Sequence, residues 1–264
     1  MYEFDNEYDF YVQEYSVEDT RKDLGKIVEF FKNQPYHEHA MKLFIVDYRE
    51  LPMQVAIDSD AFCVDEELPL SEFPEWMKDE SLGFVKGDWC PMSGRCVFPV
   101  KDVKGQVMGF CGWDPFAQPK YLDSKNYGYK AKLTTLYGME QLPEYYESGK
   151  PVFVTEGLMC CVYLRSKGFQ ALASLGSHLT PYVITILSRF GNRLVMIPDN
   201  DETGDAYVKQ VKNKLPKAIC VQVAYGKDIE NCRKMEDHRY EEQLLKELSL
   251  LSNPFAKTSL LIRR

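Results

Sequence analysis

Apolar residues fall at helical spacing over 17–32, where Val17, Leu24, Ile27, Phe30 and Phe31 interrupt a charged background. That period predicts an amphipathic helix. Residues 33–88 lose it, and stretches such as Asp65-Glu-Glu-Leu-Pro69 and Glu72-Phe-Pro-Glu75 predict short helices and loops. Two strand-like runs follow, Arg95–Val100 and Gln106–Gly112, with turn residues Asp102-Val-Lys-Gly105 between them, which is the pattern of a β-hairpin. From 151 the rhythm changes. Apolar runs at 151–155, 170–174, 193–198 and 218–224 alternate with helical patterns at 157–167, 180–190 and 205–214. Such alternation predicts βαβ units and a parallel sheet. Residues 240–252 read as a closing amphipathic helix. The expected class is α/β, a parallel sheet flanked by helices and preceded by a small mixed α+β subdomain. The expected divisions are 1–87, acidic and helical or irregular; 88–150, the hairpin subdomain; 151–235, the α/β domain; and 236–264, a helix and tail.

The chain has 264 residues and is 45% hydrophobic, enough for a sizeable core. No run approaches the roughly 18 apolar residues of a membrane span. The first residues, Met1-Tyr-Glu-Phe-Asp-Asn-Glu7, are acidic rather than signal-like, so a cytoplasmic protein is expected. Eight cysteines include no C-x-x-C pair and are expected to be reduced and partly buried, with no zinc bound. His37 and His39 lack an obvious third ligand and read as a solvated feature. The net charge of −8 hides an asymmetry. Residues 1–85 hold 7 Lys+Arg against 21 Asp+Glu, a net of −14, while 86–264 hold 25 against 19, a net of +6. The basic remainder leaves an anionic partner open.

The chemistry concentrates at strand ends. Val152-Phe-Val-Thr-Glu156-Gly157 and Leu194-Val-Met-Ile-Pro-Asp199-Asn-Asp201-Glu-Thr-Gly204 each run from apolar to acid. In a parallel sheet those carboxyl ends are where ligands bind. Asp199 and Asp201 sit two apart, on the same side of an extended segment. Gly204 suits a tight turn before a helix expected near Asp205. Asp228 follows another strand. Carboxylates crowded at one edge repel unless a cation compensates them, and oxygen donors suit a hard divalent ion.

These features together resemble the catalytic core of the bacterial DnaG-type primases, with its Toprim domain, from about residue 88 to 235. Arg95-Cys-Val-Phe-Pro-Val-Lys-Asp102…Gly105-Gln-Val-Met-Gly-Phe110 resembles R-I-x-F-P-I-x-D…G-x-x-I-x-F. Pro119-Lys-Tyr-Leu-Asp-Ser124 resembles P-K-Y-L-N-S, and Leu136-Tyr-Gly138 resembles L-Y-G. Glu156-Gly157, Ala173-Ser-Leu-Gly-Ser-His-Leu-Thr180, Asp199-x-Asp201-x-x-Gly204 and Lys227-Asp228 resemble E-G, A-S-L-G-T-A-L-T, D-x-D-x-x-G and K-D-P-D in the family's order. The resemblance implies a template-directed polymerase that makes RNA primers on single-stranded DNA from ribonucleoside triphosphates. It implies Mg²⁺ or Mn²⁺ held by Glu156, Asp199, Asp201 and Asp228, with Asp205 in support. Glu156, Asp199 and Asp201 would be catalytic. Arg95, Lys120, Lys130 and Lys132 would grip template and nucleotide.

Two positions depart from the family pattern. Cys160 stands where a second aspartate is usual, and Trp113 where an arginine is usual. The aromatic is expected to pack rather than stack on a base. No zinc ribbon is visible in 1–85, no helicase-binding bundle after 252, and no G-x-x-x-x-G-K-[ST] anywhere. A compact, phage-like version is therefore expected, relying on a replicative helicase and a separate zinc-module or replisome protein as partners. Two other readings stay open: a Toprim metal-dependent nuclease, and a catalytically weak primase-derived protein that binds single strands.

Overall fold

The helical period at 17–32 becomes helix α1, Val17–Lys32, in the computed structural model. The structure describes residues 17–79, 82–124, 136–176, 178–223, 226–229, 231, 239–251 and 262–263. It divides into two compact units, Met1–Tyr129 and Lys130–Arg264.

In the first unit the hairpin forms over β2, Cys96–Lys101, and β3, Val107–Trp113, each one residue later than expected. The buried Asp102 shapes its turn: Oδ1 accepts the N–H groups of Lys104 and Gln106, both at 2.9 Å. β1 (Phe62–Cys63) and β4 (Tyr121–Asp123) complete an antiparallel sheet in the order β1-β2-β3-β4. Nearly every residue of β2 and β3 is buried, so both faces need a cover.

The N-terminal segment supplies both covers. α1 turns Leu24, Ile27, Val28 and Phe31 onto the face that carries Phe62, Val97 and Phe110. Phe31 stacks on Phe62 with centroids 5.3 Å apart and meets Phe73 edge-on at 5.5 Å. On the other face lies α2, His37–Met41, which runs on as a π-helical turn through Lys42–Tyr48. Met41 Sδ sits 3.3 Å from Cys63 Sγ, and the Phe44 and Tyr48 rings pack against Trp113. A short helix, α3 (Gln54–Asp58), leads into β1. The division expected at 87/88 thus falls inside one shared core. Among the described residues, acids such as Glu29, Glu66, Glu67 and Glu72 are exposed beside the apolar inner faces of their segments, and charge composition does not reveal that.

The second unit follows the alternation closely. β5 (Val152–Thr155), α5 (Leu158–Ser166), β6 (Gln170–Ala173), α6 (Pro181–Ser188), β7 (Leu194–Ile197), α7 (Glu202–Lys214) and β8 (Ile219–Cys220) come in turn. The strands are parallel, in the order β6-β5-β7-β8. β5, β6 and β7 are buried throughout, as strands covered on both faces must be. Helix α4 (Leu142–Glu147) precedes the sheet. Tyr137 pairs with Ala173 beside β6, its N–H donating to the Ala173 carbonyl at 2.8 Å. Gly138 follows at φ +91°, and a Cβ there would lie 2.3 Å from Arg165 Nη2, which accounts for glycine in the L-Y-G stretch. The strand expected at 218–224 breaks after Cys220. β9 (Gln222–Val223) pairs antiparallel with β10 (Ile262–Arg263) instead. The closing helix α8, Arg239–Leu250, buries Leu244 and Leu248.

None of the seven described cysteines is in a disulfide, and all are buried except the half-buried Cys220. Cys232 lies outside the described residues. Among the described residues no helix is long and apolar enough to cross a membrane.

Phe31 ties α1 to the sheet, so Phe31→Ala should lower stability by about 3–5 kcal/mol. A urea unfolding midpoint within error of the parent would show that α1 does not hold the sheet face.

Candidate active site

β5 and β7 are neighbours in register, Thr155 opposite Ile197. The residues that follow therefore leave the sheet at the same edge, and both segments turn acidic there. Glu156 is only 8% exposed. Its Oε1 accepts the Asp199 N–H at 3.0 Å, so the main chain of one acidic segment is pinned to the side chain of the other. Beneath them Ser174, at the end of β6, donates its N–H to the Thr155 carbonyl at 2.9 Å. The buried Tyr207 hydroxyl of α7 lies 3.3 Å from Ser174 Oγ.

Asp201 caps α7, its Oδ1 accepting the Gly204 N–H at 2.9 Å. The helix thus begins at Glu202, three residues before the expected start. Gly204 has a different purpose from the one its turn chemistry suggested. A Cβ there would stand 1.7 Å from the Asp199 carbonyl oxygen, so glycine lets the first helical turn abut the acidic loop. The loop is also clamped from the 226–228 side. Asn200 donates its N–H to the Lys227 carbonyl at 2.6 Å and its side-chain amide to the Gly226 carbonyl at 3.2 Å. Gln222 Nε2 donates to the Asp199 carbonyl at 3.0 Å.

The electrostatics follow from crowding and burial. Burial chiefly pushes Glu156 up to about 7; the Asp199 N–H opposes this, and the charges of Asp199 and Asp201 add to it. Burial also leads in pushing Asp199 up to about 6, with the Asp228 carboxylate as the next cause. Asp201 goes the other way, held below the usual range chiefly by the Gly204 N–H. Lys227 is raised, chiefly by its hydrogen bond to Asp201.

Four of the expected acids therefore act on one another: Glu156, Asp199, Asp201 and Asp228. Asp228 also accepts the Asn231 N–H at 2.7 Å. Asp205 is exposed on the first turn of α7 and is not among the charges that chiefly shift these groups. Among the described residues no three His, Cys, Asp or Glu side chains form a closed metal cage. The donor set still fits a hard divalent cation, because hard oxygens crowd there at the expense of their own ionisation. Cys160 is buried on α5, one turn after Glu156, and its soft thiol adds no such donor.

The expected basic residues divide. Arg95 is buried, and its Nη1 donates to the Lys120 carbonyl at 3.2 Å, so it braces the segment that presents the exposed Lys120. Lys130 and Lys132 lie outside the described residues. Trp113 is wholly buried, with the Arg49 guanidinium 4.1 Å above its ring, so it packs as expected. Lys227 was not among the expected site residues, although its place directly before Asp228 was a usable signal.

The parallel sheet thus carries paired acids at adjoining strand ends, with Asp201 capping the helix that follows. Residues 153–232 match the family model described as Toprim-like. A DNA primase of Clostridium acetobutylicum is 36% identical over 115 residues, which cover 42% of this chain and 19% of that primase. One of Aquifex aeolicus is 30% identical over 132 residues, 49% of this chain and 26% of the relative. The match thus spans about a fifth to a quarter of these curated relatives. A solved structure of the DnaG catalytic core superposes with a TM-score of 0.69 at 23% identity, over 88% of this chain and 80% of that one. A DnaG primase catalytic domain bound to single-stranded DNA gives 0.68 at 24% identity, over 86% and 78%. The fold is that of the DnaG primase catalytic core.

The raised acids fix a sign for pH dependence without added metal. Glu156 keeps its proton up to about 7 in the folded chain, against an ordinary 4.5. The folded state therefore binds more protons across that window, and stability falls as pH rises through it. The loss should be on the order of 2 kcal/mol between pH 5 and 7.5, and Glu156→Gln should flatten it. Thermal melts in chelator at several pH values test this; a parent profile as flat as the variant's would contradict the burial argument.

Proposed function

We propose that the chain is a DNA primase catalytic core, synthesising short RNA primers on single-stranded DNA by metal-dependent nucleotidyl transfer. The observation that carries the reading is the convergence of Glu156, Asp199, Asp201 and Asp228 at one sheet edge within the DnaG-core fold. Glu156, Asp199 and Asp201 are the catalytic set, and with Asp228 they hold Mg²⁺ or Mn²⁺, while Asp205 contributes from the helix surface. Such an ion, when bound, neutralises triphosphate charge and lowers the barrier to attack of a 3′-hydroxyl on the α-phosphorus. The protein's own part is placement. Gly204 and the Glu156–Asp199 hydrogen bond hold the carboxylates in advance, so little reorganisation remains.

Lys120, with Lys130 and Lys132, grips template and triphosphate oxygens, and Arg95 supports Lys120 from beneath. Grip of this kind is largely independent of sequence and weakens with salt. A replicative helicase and a separate zinc-bearing replisome protein are the partners this reading calls for, and the cytoplasm is its compartment.

One incubation decides among the readings. The purified chain is mixed with single-stranded DNA, labelled ribonucleotides and Mg²⁺ or Mn²⁺. New short oligoribonucleotides support the primase. Shortened template points to a nuclease, which the same acids would suit. Retention of DNA with neither product points to a binding protein, which the buried Cys160 thiol would favour. Asp199→Ala should abolish primer synthesis, by at least about a hundredfold, and leave single-strand binding near the parent value. Parent levels of product would remove Asp199 from the chemistry. Lys120→Ala should weaken single-strand binding and lower the slope of log affinity against log salt by about one unit. An unchanged slope would take Lys120 out of the phosphate contacts.

A further inference from the structure

The carboxylates account for four members of the site and leave a fifth group unexplained. Lys227 Nζ lies 3.1 Å from Asp201 Oδ2 and 3.5 Å from Asp199 Oδ2, bridging the two. This placement is imposed by the main chain. The Lys227 and Gly226 carbonyls accept both Asn200 hydrogen bonds, from its N–H and its side-chain amide. Gly226 sits at φ +75°, the left-handed conformation that folds the 226–228 segment back over the acidic loop. The Lys227 side chain nevertheless keeps 56% of its surface exposed, so the ammonium is free to swing out.

We propose that Lys227 is a tethered counter-ion, occupying the place of a divalent cation between Asp199 and Asp201 and displaced when that cation binds. The inference rests on the metal-site reading above. An ammonium offers one positive charge and directional donors, enough to keep two neighbouring carboxylates together. A divalent ion offers twice the charge and binds oxygens from more directions. Entry of the ion must break both lysine contacts, so Lys227 weakens cation affinity while it keeps the acidic loop assembled. Asp201 is already fixed by the Gly204 N–H, and Asp199 by its own N–H to Glu156. Removing the ammonium therefore leaves the cation site formed rather than collapsed.

The test is Mn²⁺ binding to the whole chain without nucleotide or DNA, read from the free-ion signal in electron paramagnetic resonance. Lys227→Met should bind Mn²⁺ roughly three- to tenfold more tightly than the parent, the range expected for loss of two exposed ion pairs. Lys227→Arg, which keeps a cation there, should show no such gain. Without metal, Lys227→Met should melt below the parent, and saturating Mn²⁺ should close the difference. Unchanged or weakened Mn²⁺ binding in Lys227→Met overturns the proposal. Asp199→Asn serves as the reference. If it loses Mn²⁺ while Lys227→Met binds like the parent, only the counter-ion role fails. If Asp199→Asn binds like the parent, the metal-site reading fails and the counter-ion falls with it.

Discussion

Like charges delivered to one buried edge must be compensated, and much of the second unit is arranged around that requirement. Parallel strands β5 and β7 end side by side, so the acids that follow them cannot avoid each other. Three kinds of compensation are present. A main-chain N–H reaches Glu156, a helix N-terminus receives Asp201, and an ammonium bridges Asp199 and Asp201. The first two are backbone groups that cannot leave. The third is a side chain that can. Without such compensation the buried carboxylates would take up protons, as the raised values of Glu156 and Asp199 already indicate.

What the linear sequence made legible follows from the range of the interactions involved. Strands β5, β6 and β7 and the helices between them were readable because their burial is encoded locally, as uninterrupted apolar runs and helical periods. The pairing of Glu156 with Asp199–Asp201 was readable because topology alone aligns the ends of neighbouring parallel strands. The start of α7 was misplaced by three residues. Gly204 reads as a breaker in isolation, and only the approach of the Asp199 carbonyl explains it inside the first turn. β9 was fused with β8 because a break after Cys220 depends on a partner strand about forty residues onward.

The N-terminal third was the least legible part, for a related reason. Its charge suggested a separate acidic region, and the structure makes it the cover of the hairpin sheet. Residues 1–85 hold 21 acids against 7 bases, and that count gives no sign that Leu24, Ile27, Val28 and Phe31 pack on the sheet. Met41, Phe44 and Tyr48 lie on a helix whose π-helical continuation breaks the ordinary period. Trp113 depends on this cover: its ring is enclosed by Phe44, Tyr48 and Arg49, none of them near it in sequence. An aromatic in place of a usual arginine therefore reports on how this unit packs. Arg95 makes the same point from the other side, since a residue that looked like a phosphate contact is buried as a brace for Lys120.

Cys160 and Lys227 are best understood together. The Cys160 thiol is buried on α5, one turn after Glu156, and is a soft donor that suits a hard divalent ion poorly. The Lys227 ammonium places one positive charge between Asp199 and Asp201. The hydrogen bonds that position Glu156 and Asp201 come instead from the Asp199 and Gly204 N–H groups. Geometry and charge are thus set by different residues here. Backbone N–H groups and Gly204 govern where the carboxylates stand, while the Lys227 ammonium offsets part of their charge. A site built this way lets the compensating side chain vary without disturbing the strand ends that deliver its acids.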